Sequence, residues 1–245
     1  MLFEMEQDAN FKRIYFDVVK YRLTRGSLEL EGMDDDYAHA VHSIKVYNQL
    51  EAINYIFNNY GSGKLSHMNF TNLLCNVANK LTGGEITDFR KINAMVNGSK
   101  VVRTSPQMIR NDLWYLIDDY NYQIERCKNE REIFEVEAWF HIRLLHIHPF
   151  EDCNGRTSRI FLFYNMCKNN FAPVIITKEV KELYCDLIEN NNIKGLADLF
   201  ENLSKKELEV MVSLYKELDK RGEIKSNLMT DEEELKYNEL QERKK

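Results

Sequence analysis

Apolar residues recur at helical spacing along most of the chain. Phe11 to Arg25 reads as a first helix, with Tyr15, Val18, Val19 and Tyr21 among its apolar positions. Gly26 to Gly32 then reads as a helix end with a glycine cap, or as a short strand on the alternation of Leu28 and Leu30. Tyr37 to Phe57 suits a long helix, closed by the turn Tyr60-Gly61-Ser62-Gly63-Lys64. Ser66 is placed to cap the next helix, whose stripe is Phe70, Leu73, Leu74, Val77, Ala78 and Leu81, and Gly83-Gly84 ends it.

Residues 85 to 104 break this period. Ile92, Ala94 and Val96 alternate, Asn97-Gly98 is a favoured two-residue hairpin turn, and Lys100-Val101-Val102-Arg103 follows, so a small β-hairpin is expected. Its edge would be covered or would accept a partner's strand. Ser105-Pro106 opens a helix that buries Ile109, Leu113, Leu116, Ile117 and Tyr120.

Two segments then lack a polar face: Ile133 to Ile147, and Ile160 to Tyr164. A helix that is apolar nearly all round is buried on all sides. Between them runs His148-Pro149-Phe150-Glu151-Asp152-Cys153-Asn154-Gly155-Arg156-Thr157-Ser158-Arg159. These polar groups lie against a core, where leaving one unpaired costs about 1–3 kcal/mol. Each must be satisfied by a neighbour or by a ligand. Further on, Thr177 caps a helix with stripe Val180, Leu183, Tyr184, Leu187 and Ile188. Ser204-Lys205-Lys206-Glu207 reads as a capping box with Leu203 and Leu208 as its staple, and from about Lys220 the chain becomes a charged tail.

The expected fold is therefore all-α, one compact helical body with a small β-hairpin flap. It divides into residues 1–36, an N-terminal helix and following segment, 37–202, the core, and 203–245, a final helix and tail. With 245 residues, 44% hydrophobic content and a net charge of −6, the chain reads as an ordinary globular protein and not as a general nucleic-acid binder. Five scattered cysteines without a C-x-x-C pair, no signal-peptide pattern and no membrane-spanning run point to a cytoplasmic setting. Gly61-Ser62-Gly63-Lys64 lacks the rest of a phosphate loop. His141, His146 and His148 do not share one helical face, which argues against a histidine metal cluster.

The central loop has its own chemistry. His148 can take a proton near neutral pH. Asp152 is a hard oxygen ligand suited to Mg²⁺. Asn154-Gly155 opens a helix whose first amides and dipole favour an anion, and Arg156 and Arg159 share a face at that same end. Base, metal ligand, anion nest and two guanidiniums together describe phosphoryl or nucleotidyl transfer.

The same residues resemble the signature of the Fic family, H-P-F-x-D/E-G-N-G-R-x-x-R, at His148, Pro149, Phe150, Asp152, Asn154, Gly155, Arg156 and Arg159. The resemblance implies a protein adenylyltransferase that uses ATP with Mg²⁺ or Mn²⁺ to attach AMP to a Tyr, Thr or Ser hydroxyl of a target protein, or of itself. It implies His148 as the base and Asp152 as the metal ligand. Asn154, Gly155, Arg156 and Arg159 would bind the phosphates, with Cys153 beside them and Tyr184 near the adenine. It implies Val96, Asn97, Gly98, Lys100, Val101 and Val102 as the flap on which the target docks, with homo-oligomerisation left open.

One position departs from the signature: Cys153 stands where the family has glycine, which puts nucleotide preference in question if that residue needs φ > 0. Ser27 to Gly32 matches an inhibitory pattern of the family, S/T-x-x-x-E-G/N, so Ser27, Glu31 and Gly32 are expected to restrain the site through a Glu31–Arg159 pair. Two alternatives stay open here. One is removal of AMP, or transfer of another nucleotide, by the same site; the other is a non-catalytic nucleotide-binding or docking module.

Overall fold

The computed structural model describes residues 8–32, 44–59, 64–96 and 98–224. Residues 1–7, residues 33–43 with the start of the helix expected from Tyr37, the Tyr60–Gly63 turn, Asn97 and the charged tail beyond Ile224 lie outside the described residues. Among those described, eight α-helices and no strand are formed: α1 (Ala9–Glu29), α2 (Ile44–Asn59), α3 (His67–Leu81), α4 (Ile109–Ile124), α5 (Glu130–Ile147), α6 (Asn154–Lys168), α7 (Lys181–Glu189) and α8 (Ile193–Lys220). No helix among the described residues is long and apolar enough to cross a membrane.

The two apolar segments of the sequence are α5 and α6, which pack on one another. In α6 every residue from Arg156 to Met166 is buried. α4 and α8 cover α5, while α2 and α3 pair with each other and both reach α6. One large core joins Phe70, Phe140, Phe161 and Phe163 to Phe11 and Tyr215, so α1 and α8 share it. A smaller core gathers Ala138, Ile142, Leu162, Tyr184 and Phe200 around the other side of α5 and α6.

Four local expectations are corrected. The expected hairpin forms a turn but no ladder. Ser99 N–H donates to Val96 O at 3.0 Å with Gly98 at φ +79°, but the two legs are held by a side chain instead of by each other. A lone two-stranded hairpin is marginal, and here its backbone groups find other partners. The first helix does not stop at Gly26, nor is there a strand at Leu28. It runs to Glu29 because glycine there permits close approach, with a Cβ at residue 26 falling 2.6 Å from Ile176 O. The capping box at Ser204 is not a helix start, since α8 passes through it unbroken. Ser204 Oγ instead donates to Ala172 O at 2.6 Å, and Glu207 is buried. Finally, Leu183 is exposed, and α7 buries Tyr184 and Ile188. Ser66 caps α3 as expected, its Oγ accepting from Asn69 N–H at 3.2 Å. Ser105 and Thr177 make no side-chain cap bond, and each begins a 3₁₀ turn.

Two buried carboxyls tie helices together. Glu207 on α8 accepts from Tyr15 Oη at 2.8 Å and from Arg22 Nη1 at 2.6 Å, anchoring α1. Glu137 on α5, wholly buried, accepts from Tyr120 Oη at 2.7 Å and from Asn165 and Asn169 Nδ2 at 3.0 Å each. Burial pushes Glu137 up to about 7, against the pull of Tyr120, Asn165 and Lys168.

That raised value sets a pH dependence. The unfolded chain gives up the Glu137 proton near an ordinary carboxyl value, the folded chain near 7. The contribution to stability is therefore full in mild acid and is lost as pH rises through 7. In Glu137→Gln a permanently neutral donor can face the unpaired Asn165 Oδ1. The melting temperature of the wild type relative to Glu137→Gln is expected to fall between pH 5 and pH 8, as thermal denaturation at the two pH values will read.

Candidate active site

The site is the junction of α5, the loop after it, and α6. His148 ends α5 in the left-handed region at φ +52°, its N–H donating to Leu144 O at 3.1 Å. Cys153 precedes α6 at φ +62°. The position does require φ > 0, and a non-glycine residue occupies it at a cost of about 1–2 kcal/mol. Its side chain does not crowd the loop. Cys153 is buried, with Sγ accepting from Thr157 Oγ1 at 3.7 Å and lying 4.0 Å from Ala78 O. Burial pushes this thiol up to about 12, so it is a neutral, inward-facing group.

Asn154 Nδ2 donates to Phe150 O at 2.9 Å, and Asn154 Oδ1 accepts from Phe150 N–H at 3.0 Å. Here the Asn154 side chain braces the loop, so the anion nest consists of backbone. The first intrahelical bond is Thr157 N–H to Cys153 O at 2.8 Å, so the amides of Asn154, Gly155 and Arg156 have no acceptor within α6.

Over that helix end sit two buried guanidiniums and one carboxylate. Glu31 Oε1 lies 3.0 Å from Arg159 Nη2, and Glu31 Oε2 lies 3.0 Å from Arg156 Nε. The contact to Arg159 is an aligned hydrogen bond; the contact to Arg156 is an ion pair whose N–H is not directed at the oxygen. Arg159 Nε also donates to Ser27 Oγ at 2.8 Å, and its Nη2 to Ser27 O at 3.2 Å. The structure thus brings Ser27, Glu31, Arg156 and Arg159 together. The sequence pointed to Arg159 as the partner of Glu31; Arg156 is a second. Gly32, just past the helix, is exposed and has φ +74°. Gly155 lets Arg159 fold back along α6, because a Cβ there would meet Arg159 Nη1 at 2.9 Å.

Asp152 is exposed and accepts from Arg156 Nη2 at 3.0 Å. No group of three or more His, Cys, Asp or Glu residues able to hold a metal occurs among the described residues. The donor set fits a Mg²⁺ that takes one carboxylate and completes its shell with water and phosphate oxygens. Tyr184 is buried behind Arg159, bonded to His141 Nε2 at 2.7 Å. His146 Nε2 donates to Ile188 O at 3.1 Å.

His148 is half-buried, and its pKa is pushed down to about 4, chiefly by burial and then by the Arg103 charge. Arg90 lowers it further, while a hydrogen bond involving Leu145 backbone and the Asp152 carboxylate oppose the shift. At neutral pH the imidazole is therefore unprotonated and able to accept a proton.

Sequence reasoning missed Arg90, whose side chain is buried in a loop with no local signal. Its Nε donates to His148 O at 2.6 Å, its Nη1 to Ile92 O at 2.6 Å, and its Nη2 to Thr104 O and, at 3.3 Å, to Ile147 O. Arg90 N–H adds a bond to Pro149 O at 2.9 Å. One guanidinium thus caps the carbonyl end of α5 at His148 and holds both legs of the flap. Of the flap residues, Val96 and Val101 are half-buried, whereas Gly98, Lys100 and Val102 are exposed.

The comparisons with known proteins fall on this region. Residues 64–166 match the model of the Fic/DOC family. A Protein adenylyltransferase Fic of Aedes aegypti is 42% identical over 117 residues, which are 46% of this chain and 21% of that protein. A Protein adenylyltransferase Fic of Culex quinquefasciatus is 42% identical over 55 residues, 22% of this chain and 11% of that protein. The aligned stretch therefore spans about a fifth or less of the length of these curated relatives. Among solved structures, a Fic-domain-containing signaling protein of Bacteroides thetaiotaomicron superposes with a TM-score of 0.70 at 17% identity, covering 85% of this chain and 92% of that one. Fic-1 of C. elegans gives 0.64 at 17% identity, over 85% and 67%. A Bartonella BepC protein with bound AMPPNP gives 0.52 at 19% identity, over 70% and 87%.

A lysine at position 90 could not reach the carbonyls on both flap legs and at the end of α5 together. With two or more left unpaired, Arg90→Lys is expected to cost about 3 kcal/mol, read as a melting temperature about 6–12 °C lower.

Proposed function

This chain belongs to the Fic/DOC family through its residues 64–166, and on that premise we propose that it is an autoinhibited protein adenylyltransferase. The observation that carries the reading is a carboxylate, Glu31, on two buried arginines at the open end of α6. Two guanidiniums and a positive helix end form a phosphate site, and in the resting chain an internal anion stands in it.

In the proposed reaction ATP displaces Glu31. Arg156 and Arg159 bind the β- and γ-phosphates, and the amides of Asn154, Gly155 and Arg156 hold phosphate oxygens. Mg²⁺ or Mn²⁺ accompanying the nucleotide would rest on Asp152 and offset phosphate charge. Neutral His148 takes the proton of a target hydroxyl, whose oxygen bonds to the α-phosphorus as the bond to pyrophosphate breaks. The target lies along the flap, where Met95 and Val102 are almost fully exposed. The inward turn of the Cys153 side chain supports catalysis over a non-catalytic docking role, because the nest keeps its space. Each charge-assisted bond from Glu31 contributes about 1.5–3 kcal/mol when well shielded from water, so its loss raises productive ATP binding by tens-fold.

Glu31→Gly protein with labelled ATP, Mg²⁺ and a protein extract is expected to label protein at least about tenfold faster than wild type, and adding His148→Ala is expected to abolish the signal. Absence of any labelling by Glu31→Gly, itself included, would sink the reading. A gentler variant tests the restraint: Gly26→Ala forces α1 away from the Ile176 carbonyl, carrying Ser27 and Glu31 with it. It is expected to raise labelling above wild type while leaving Glu31 in place.

A further inference from the structure

The flap is tied down at its tip as well as at its base. Glu189, the last residue of α7, accepts from Ser99 Oγ at 2.8 Å and from Lys100 N–H at 3.2 Å, and pairs with Arg103 Nη2 at 3.4 Å. Ser99 Oγ in turn accepts from Arg103 Nη2 at 2.7 Å and from Val101 N–H at 3.2 Å. A carboxylate in the last turn of a helix opposes the helix dipole, so helix stability gives no reason for Glu189 to be acidic. Burial pushes its carboxyl up, yet the bonds from Ser99, Lys100 and Arg103 outweigh that and hold it below the ordinary range.

This small receptor has donors to spare. The Arg103 side chain is only 5% exposed, and its Nε and Nη1 have no hydrogen-bond partner. Its charge is felt at His148 and at His146, so it lies beside the proposed reaction centre. The segment 90–104 holds Arg90, Lys91, Lys100 and Arg103 and no acid, within a chain of net charge −6. The amides of Lys100 and Val101 are engaged by Glu189 and Ser99.

We propose that Ser99, the Lys100 amide and Arg103 form a carboxylate receptor on the flap, filled at rest by Glu189, and that targets are selected by an acidic residue that takes its place. The inference rests on the transferase reading and adds a specificity element to it. The incoming carboxylate accepts from Ser99 Oγ and Lys100 N–H and pairs with Arg103 Nη2 as Glu189 does at rest, with Arg103 Nε and Nη1 as further donors beside it. Arg103 is thus a positioning and specificity residue, whose charge also helps keep His148 unprotonated.

The test uses the full chain carrying Glu31→Gly and a degenerate library of Ser-, Thr- and Tyr-centred peptides, with the labelled pool sequenced. One position flanking the hydroxyl residue is expected to show about tenfold enrichment of Asp and Glu over Asn and Gln, the factor for one charged hydrogen bond. Adding Arg103→Gln is expected to erase that enrichment, read as the ratio of acidic to neutral peptides so that a change in the overall rate through His148 does not enter; Ser99→Ala, a smaller change, is expected to reduce it. Adding Glu189→Gln is expected to raise the rate on acidic peptides several-fold, with KM for peptide falling and KM for ATP unchanged. The proposal is overturned if no acidic position emerges, if enrichment survives both Arg103→Gln and Ser99→Ala, or if the protein labels itself but no peptide. If Glu31→Gly labels neither peptides nor itself, the transferase reading fails and takes this inference with it.

Discussion

Two guanidiniums buried at the positive end of a buried helix need an anion. α6 is enclosed over Arg156 to Met166, so Arg156 and Arg159 cannot escape into water as surface arginines do. The architecture around them follows from that electrostatic demand. α1 crosses the body at an angle that delivers Ser27 and Glu31, and glycine at position 26 lets it pass close enough to the Ile176 carbonyl to do so. Breaking a buried pair by removing one partner is far costlier than never forming it. In the proposed reaction, exchange of Glu31 for a phosphate would keep the arginines satisfied throughout.

The loop between α5 and α6 is stiff for a related reason. Its polar groups are spent on each other before any ligand arrives: Asn154 on the Phe150 backbone, and Arg90 on the carbonyls of Ile147 and His148. What remains available is the set of groups that face outward, namely the first amides of α6 and the neutral imidazole of His148. Burial and neighbouring cations keep that imidazole unprotonated, as the proposed role of a base would need.

Much of this was legible in the sequence. All-round apolarity gave α5 and α6 as buried helices, and the residues between them identified themselves through charges that a core cannot leave unpaired. The signature raised the question of φ > 0 at Cys153 without answering it, and the backbone there stands at φ +62°. Long-range pairing was not legible. Arg90 carries no local pattern, because its acceptors are carbonyls from three separated segments. Ser204 to Glu207 imitated a helix start since capping boxes are short, while the structure uses Ser204 and Glu207 to bind Ala172 and α1. The alternation around Asn97-Gly98 suggested paired strands, but Arg90 and Glu189 claim the groups a ladder would use.

The anchoring of α1 to α8 has a mechanical consequence. Arg22 is fixed to the buried Glu207, and Glu31 lies nine residues further along, about 13 Å away at helical rise. Glu31 lies just past the end of α1, so small tilts of the helix are felt there most. A displacement of about 1 Å at Glu31 is enough to take a 3.0 Å contact beyond hydrogen-bond range, and over that arm it corresponds to a tilt of only about 4°. On the proposed reading, a displacement that small at Glu31 would be enough to open the site to an incoming anion.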